Sequence, residues 1–295
     1  MSNTYRLTYY PWITQSKTPP QLDQYIRLFA GEVEAQLGRL NAGIKIEVLP
    51  PIEVPAQIAA ITSGACEIAL MNPLGYIFAR RRNPAVVPSV LALRIVDGKP
   101  GPTYFAQIYT RKKTAITEAD LGKMKGRSIG FGVAYSTSNF LMPAYELTMM
   151  GRQKTDKGLH PLTAFSRVEY YGGHPEVAKA VYEGRVDVGA GHDGVIDDLA
   201  TQYGYGDAKD CLVRLVRTRP IPSDPIVVSV KNEKDRSVLQ ECFVAAGKTA
   251  NGAEALKQFW GNAQGLANTE AKAYDELEQI LKELSLSDAD VLKPS

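Results

Sequence analysis

Cysteine and histidine are both scarce in this chain, and their spacing argues against two classes of site. The three cysteines, Cys66, Cys211 and Cys242, lie far apart and are odd in number. That pattern fits neither a disulfide framework nor the paired spacing of a zinc site. Cys66 sits in an apolar stretch and reads as a small buried hydrophobe. The three histidines are His160, His174 and His192. His174, His192 and Asp193 match no structural or catalytic zinc spacing, so neither a metal nor a cofactor is expected. His160 has no partner pattern and reads as a loop residue.

An excess of charge of one sign is also lacking. Lys and Arg number 34 against 32 Asp and Glu, a formal net charge of +2. Such a balance gives no reason to expect nucleic acid as a partner. The basic runs Arg80-Arg81-Arg82 and Arg111-Lys112-Lys113 are short and read as solvated faces. No apolar run approaches bilayer-crossing length, so no membrane insertion is expected. The N-terminus, Met1-Ser2-Asn3-Thr4, shows neither a basic n-region nor a long apolar h-region. Two locations stay open: cytoplasmic, or periplasmic or surface-tethered with an export signal removed.

What is present is an ordinary globular composition, 44% hydrophobic and 22% charged over 295 residues. That length suits one large or two medium domains. Tyr5 to Tyr10 reads as a first strand, and Gln21 to Leu40 as an amphipathic helix. Leu22, Tyr25, Ile26, Phe29, Val33 and Leu37 recur in it at helical spacing. Ile44 to Leu49 is a β-branched strand stopped by Pro50-Pro51. Further strands are expected over Pro84 to Arg94, Tyr104 to Thr110, Phe165 to Tyr171 and Leu212 to Arg217. Thr117 to Leu121 reads as a helix start with a carboxylate-rich first turn. The proline-hinged stretch Arg219 to Val230 reads as a return crossover. The remainder is expected to be helical, over Arg236 to Thr249, Ala253 to Phe259 and Glu270 to Leu284.

One stretch stands out for chemistry. Tyr135-Ser136-Thr137-Ser138 follows a short strand, Ser128 to Val133, and precedes a helical run, Asn139 to Met150, expected to end at Gly151. The first turn of a helix carries backbone N–H groups without intrahelical partners, and its dipole favours negative charge. Three hydroxyls beside those groups make a ready place for a phosphate-like or carboxylate anion. The bland reading is that Ser136 or Ser138 is an N-cap.

The chain also echoes itself. Val54-Pro55 to Ala69 and His174-Pro175 to Gly189 share one grammar. Each has Pro at a helix start, a Gly suited to the left-handed C′ position, then an acidic residue and a β-branched residue opening a short strand. Four features in register point to two lobes of similar sub-architecture. In open α/β sheets ligands collect beyond the carboxyl ends of strands. The echo therefore nominates Met71, Asn72 and Pro73 on one lobe, and Gly191, His192 and Asp193 on the other. It also pairs Val54 with His174.

Taken in order, Tyr135 to Ser138 with Pro143, Gly172-Gly173-His174, Gly184 to Asp187, and Ile221-Pro222-Ser223-Asp224-Pro225-Ile226-Val227 carry a likeness. The chain resembles the phosphate, phosphite and phosphonate substrate-binding proteins of ABC transporters, from its first strand to about Thr249. The resemblance implies an α/β, two-lobed type II periplasmic-binding-protein fold. Each lobe would be a mixed sheet flanked by helices, the two joined by two crossover strands with a ligand cleft between them. Lobe I would hold residues 1–107 and 223–295, and lobe II residues 108–222. The partners implied are a small phosphorus oxyanion and a transporter permease, and a monomer is expected.

By position, the resemblance makes Ser136, Thr137 and Ser138 the hydroxyl cradle for the anion's oxygens. His174 becomes a further donor, Asp224 an acceptor from a protonated oxyanion, and Tyr104 an aromatic near the cleft. Asp193, Met71, Asn72 and Tyr135 complete the candidate set. The likeness also has departures. Val54 and Met71 stand where phosphonate binders of this group commonly carry tyrosines. A carboxylate that holds an aminoalkyl ammonium falls near Gly194, where adjacent Asp193 is the one substitute. Tyr9, Tyr10 and Trp12 are available as other aromatic walls. An enzyme remains an alternative, since Ser138, His174 and Asp193 or Asp224 invite a triad reading. Against it, no Gly-x-Ser-x-Gly elbow is present. A cytoplasmic anion sensor is the third reading.

Overall fold

The computed structural model describes residues 3–155, 165–261 and 263–292; His160 lies outside them. The strands, in chain order, begin with β1 (Asn3–Tyr9), β2 (Ile44–Val48), β3 (Ile68–Leu70), β4 (Val87–Val96), β5 (Lys99–Gly101), β6 (Thr103–Tyr104) and β7 (Ala106–Arg111). They continue with β8 (Ser128–Phe131), β9 (Arg167–Tyr170), β10 (Val188–His192), β11 (Leu212–Arg217), β12 (Ile221–Pro222), β13 (Pro225–Val228) and β14 (Ala263–Asn268). The helices are α1 (Pro19–Arg39), α2 (Val54–Ser63), α3 (Pro73–Arg82), α4 (Met142–Thr155), α5 (His174–Glu183), α6 (Val195–Gln202) and α7 (Ala208–Cys211). After these come α8 (Glu233–Ala246), α9 (Ala250–Phe259), α10 (Asp275–Glu283) and α11 (Asp288–Val291). Among the described residues no helix is long and apolar enough to cross a membrane.

The chain divides into two compact units. Met1–Thr103 with Pro222–Leu277 form the first, and Tyr104–Ile221 with Glu278–Ser295 the second. This corrects the expected boundaries at one place in particular. The C-terminal stretch does not stay with the first unit, because α10 passes out of it at Glu278. Tyr145 Oη donates to Glu283 at 2.9 Å, and Leu281 is fully buried.

In the first unit the sheet order is β14-β4-β13-β3-β1-β2, with β5 against β4. β1 runs parallel to β2 and β3, while β13, β4 and β14 join antiparallel. α1 forms where the spacing predicts it. Thr18 N–H donates to Gln21 Oε1 at 3.0 Å, and Pro sits in the first turn. Leu22, Ile26, Phe29, Val33 and Leu37 all turn into the core. Phe29 there meets Phe259 edge to face at 5.8 Å. Each such side chain contributes roughly 1.5–3 kcal/mol on burial. Tyr25 is only partly buried at the margin.

The second unit's sheet has the order β11-β7-β10-β8-β9. β8, β9 and β10 are parallel to one another, and β7 returns antiparallel beside β10. The first unit repeats this scheme, with β1, β2 and β3 parallel and β13 antiparallel beside β3.

The internal echo is therefore structural. α2 and α5 both have Pro in the first turn, and both end on a left-handed glycine, Gly64 at φ 79° and Gly184 at φ 82°. The echoed acids do the same work. Glu67 accepts from the Arg6 backbone N–H at 2.9 Å and Asp187 from that of Ser128 at 2.9 Å. Each is also paired with an arginine, Arg6 at 2.5 Å and Arg127 at 3.3 Å. Each carboxylate thus pins the strand that runs beside its own.

Three expectations need correction. Gly151 does not end its helix, which runs on to Thr155. Residues 263–268 are a strand, not part of an all-helical tail; Gly265 at φ 146° and a register shift against β4 break the alternation that marks strands. α3 was not foreseen, because its first seven residues are all buried and leave no amphipathic stripe.

Gly132, just past β8, is fixed by close approach. A Cβ there would lie 1.5 Å from Asn139 Oδ1. The Asn139 side chain cannot swing away, because it donates to the Ala190 carbonyl at 2.5 Å in a buried setting. Gly132→Ala is expected to cost roughly 2–4 kcal/mol through overpacking and loss of that bond. Calorimetry would read this as a lowered midpoint, and a midpoint within about 1 °C of wild type would refute it.

The paired acids generate a second expectation. Partial burial opposes ionisation of Glu67 and of Asp187. The Arg6 bonds outweigh it for Glu67, and the Ser128 and Arg127 bonds for Asp187, so both carboxyls are held below their ordinary values. A lowered folded value means protons bind the unfolded chain more readily. The stabilisation is complete above the unfolded value of about 4 and is lost as pH falls through the folded one. Stability should therefore decline as pH drops below about 4, and Asp187→Asn should flatten part of that decline in urea melts. An equal slope in the variant would show that Asp187 contributes nothing.

Candidate functional site

In the second unit three parallel strands, β8, β9 and β10, end along one edge, and the helices that follow them, α4, α5 and α6, start there. After β8 the chain turns, with Ser136 N–H donating to Val133 O at 3.0 Å. It then enters a π-helical turn, Thr137–Leu141, which continues directly into α4. The wide turn is closed by Leu141 N–H to Ser136 O at 3.1 Å. After β9, Gly172 at φ 82° and extended Gly173 bring the chain to α5, which opens on His174.

Ser136 is the N-cap. Its hydroxyl oxygen accepts from Asn139 N–H at 3.0 Å, so the capping reading applies to this residue while its O–H remains a donor. Thr137 and Ser138 are buried, Ser138 being only 4% exposed. Among the described residues the Ser138 hydroxyl has no hydrogen-bond partner. Tyr135 is buried just before the turn. The amides of the first turn and these hydroxyls share one bend.

Two ties fix the bend and His174 to the same strand end. Asn139 Nδ2 donates to Ala190 O, and His192 N–H donates to His174 Nδ1 at 3.2 Å. A ring whose Nδ1 accepts carries its proton on Nε2, so His174 presents an Nε2–H donor. The rings of His174 and His192 meet edge to face at 4.7 Å. His192 is itself held, accepting from Gly194 N–H at 3.2 Å and standing 3.3 Å from Asp198. Ser138, His174 and the end of β10 are thus brought together.

Asp193 lies at the same end, but its carboxylate is engaged. Oδ2 stands 3.6 Å from Arg217, whose guanidinium stacks 3.8 Å above Phe105. Tyr104, also in this unit, is buried in β6.

The other candidates belong to the first unit. Met71 is fully buried, and its N–H donates to Pro225 O at 3.1 Å. Asn72 is the N-cap of α3, accepting from Gly75 N–H at 2.6 Å. Asp224 is buried and ion-paired with Arg94, and its carbonyl accepts from Ala92 N–H. Tyr9 lies in the core with its hydroxyl on Asp23, whereas Trp12 is 55% exposed and donates to Glu53 Oε1 at 2.9 Å. Among the described residues no cluster of three His, Cys, Asp or Glu is arranged to hold a metal ion.

Phe105, Gln107 and Arg217 escaped the sequence reading as site residues. Gln107 is buried in β7 and donates to the carbonyls of His192 and Asp193, at 3.1 Å each. A glutamine between Ala106 and Ile108 at the start of the strand was the available signal.

Comparison with known proteins agrees with this architecture. A family model described as ABC transporter, phosphonate, periplasmic substrate-binding protein matches residues 12–274. The phosphate-import protein PhnD of Mycolicibacterium smegmatis is 25% identical over 173 residues, 57% of this chain and 51% of that protein. The match thus spans about half the length of that curated relative. PhnD1 from Prochlorococcus marinus, solved in complex with methylphosphonate, superposes with a TM-score of 0.74 at 19% identity, covering 96% of this chain and 98% of that one. A binding component of an ABC phosphonate transporter from Pseudomonas aeruginosa gives 0.70 at 18% identity, covering 97% and 87%. At such identities the likeness establishes the fold, that of the two-lobed periplasmic binding proteins. With its family model matched over most of its length, the chain belongs to the periplasmic phosphonate substrate-binding proteins of ABC transporters.

Proposed function

We propose that this protein captures a small phosphorus oxyanion, a phosphonate, phosphite or phosphate, as a monomer, and hands it to an ABC transporter permease. The observation that carries this is the Ser138 hydroxyl, unpaired among the described residues and not among the enclosed side-chain atoms, in the same unit as the His174 imidazole that is tied to the end of β10. Donors directed at an anion form charge-assisted bonds, shorter and stronger than neutral ones. In this reading Ser136, Thr137 and Ser138 supply hydroxyl and amide donors, and His174 supplies Nε2–H. Membership of a periplasmic family supports a location outside the cytoplasmic membrane.

Binding without chemistry also accounts for the histidine. A triad needs a carboxylate on the nitrogen that orients the ring. Here His174 Nδ1 meets a backbone N–H instead, and Asp224 is paired with Arg94. Among the described contacts, this arrangement supports a binding role for His174 over a triad.

Ser138→Ala and His174→Ala are each expected to weaken binding of phosphate, phosphite or methylphosphonate by roughly 1.5–3 kcal/mol, about 10- to 150-fold. Titration calorimetry reads this directly. Wild-type affinity in both variants would remove this site.

A further inference from the structure

Arg217 ends β11, and the sheet register sets it opposite Gln107 while His192 lies opposite Ala106. It therefore flanks the start of β7 from one side, with the end of β10 on the other. The Asp193 turn is rigidly placed. Asp193 N–H donates to Phe105 O at 3.0 Å, and Gln107 Nε2 binds the carbonyls on both sides of it. Arg217 is placed as firmly. Its guanidinium lies 3.8 Å from the Phe105 ring centroid and 3.6 Å from Asp193 Oδ2, and the two charged side chains are 27% and 24% exposed. A planar cation stacked on an aromatic face keeps both position and charge, which a lysine at this place would not reproduce.

Asp193 stands one residue past the strand end to which His174 is tied. A lone carboxylate beside a bound phosphorus oxyanion would attract a ligand whose carbon substituent ends in an ammonium group. Arg217 removes that preference. Its single positive charge balances the carboxylate, so the pair no longer attracts a second cation. We propose that Arg217 is a specificity-determining residue, which by pairing with Asp193 denies phosphonates carrying a cationic substituent an advantage over uncharged ones. The inference rests on the reading that the Ser138 and His174 end of the second unit holds the phosphorus oxyanion.

The test is the ratio of affinities for 2-aminoethylphosphonate and methylphosphonate, measured by titration calorimetry on the full chain. Wild type should show no preference for the aminoethyl ligand. Arg217→Gln should raise the aminoethyl-to-methyl ratio about tenfold or more, and adding Asp193→Asn should abolish the gain. Arg217→Met keeps the aliphatic stem over Phe105 and gives the same readout should the Gln variant not fold. If wild type binds methylphosphonate and the ratio stays put in the folded Arg217 variant, the inference is overturned and the binding function stands. If wild type binds none of phosphate, phosphite or methylphosphonate, the underlying function itself is overturned.

Discussion

The last residues of β10 hold two helix starts in place, and the candidate site depends on that. The Ala190 carbonyl receives the Asn139 amide, and the His192 amide reaches the His174 ring. Both bonds are short-range and directional, and the first is fully buried. They hold the hydroxyl bend and the His174 imidazole at one strand end. Groups held in their productive geometry lose little freedom on binding, so more of each hydrogen bond appears as affinity. The absent side chain at Gly132 is part of the same constraint, because it leaves the room that Asn139 fills.

The same logic is built twice in the chain. A Pro-initiated helix, a left-handed glycine and an acid that clasps the neighbouring strand appear at Glu67 and again at Asp187. In each case the carboxylate satisfies a backbone N–H of the neighbouring strand, within β1 at Arg6 and at the start of β8 at Ser128. The two units nonetheless use their strand ends differently. In the first, Asn72 caps α3 and Met71 is sealed in the core. In the second, the corresponding edge carries hydroxyls, two histidines and an ion pair. One scaffold thus serves packing at one copy and polar chemistry at the other.

Val54 and Met71, in the first unit, are apolar and buried. At the end of β10 in the second unit, Asp193 has its charge balanced by Arg217. The charge near the strand end is set by a pair whose members are distant in sequence.

Local pattern alone determined much of this protein. The amphipathic stripe of α1, the Pro-to-Gly bounds of α2 and α5, and the hydroxyl run before α4 are all short-range features. Steric preference and helix-end chemistry act within a few residues, so they can be read without the fold. Tertiary structure decided what those groups do. Ser136 became the cap of a π-helical turn, and Ser138 fell within that turn. His174 took its tautomer from the backbone of a residue 18 positions away, and Asp224 met an arginine 130 positions away. β14 and α3 stayed hidden because one lacks alternation and the other is buried throughout its first turns. Hydrogen bonds and ion pairs between distant segments leave no periodic trace along the chain, so only folding brings them together.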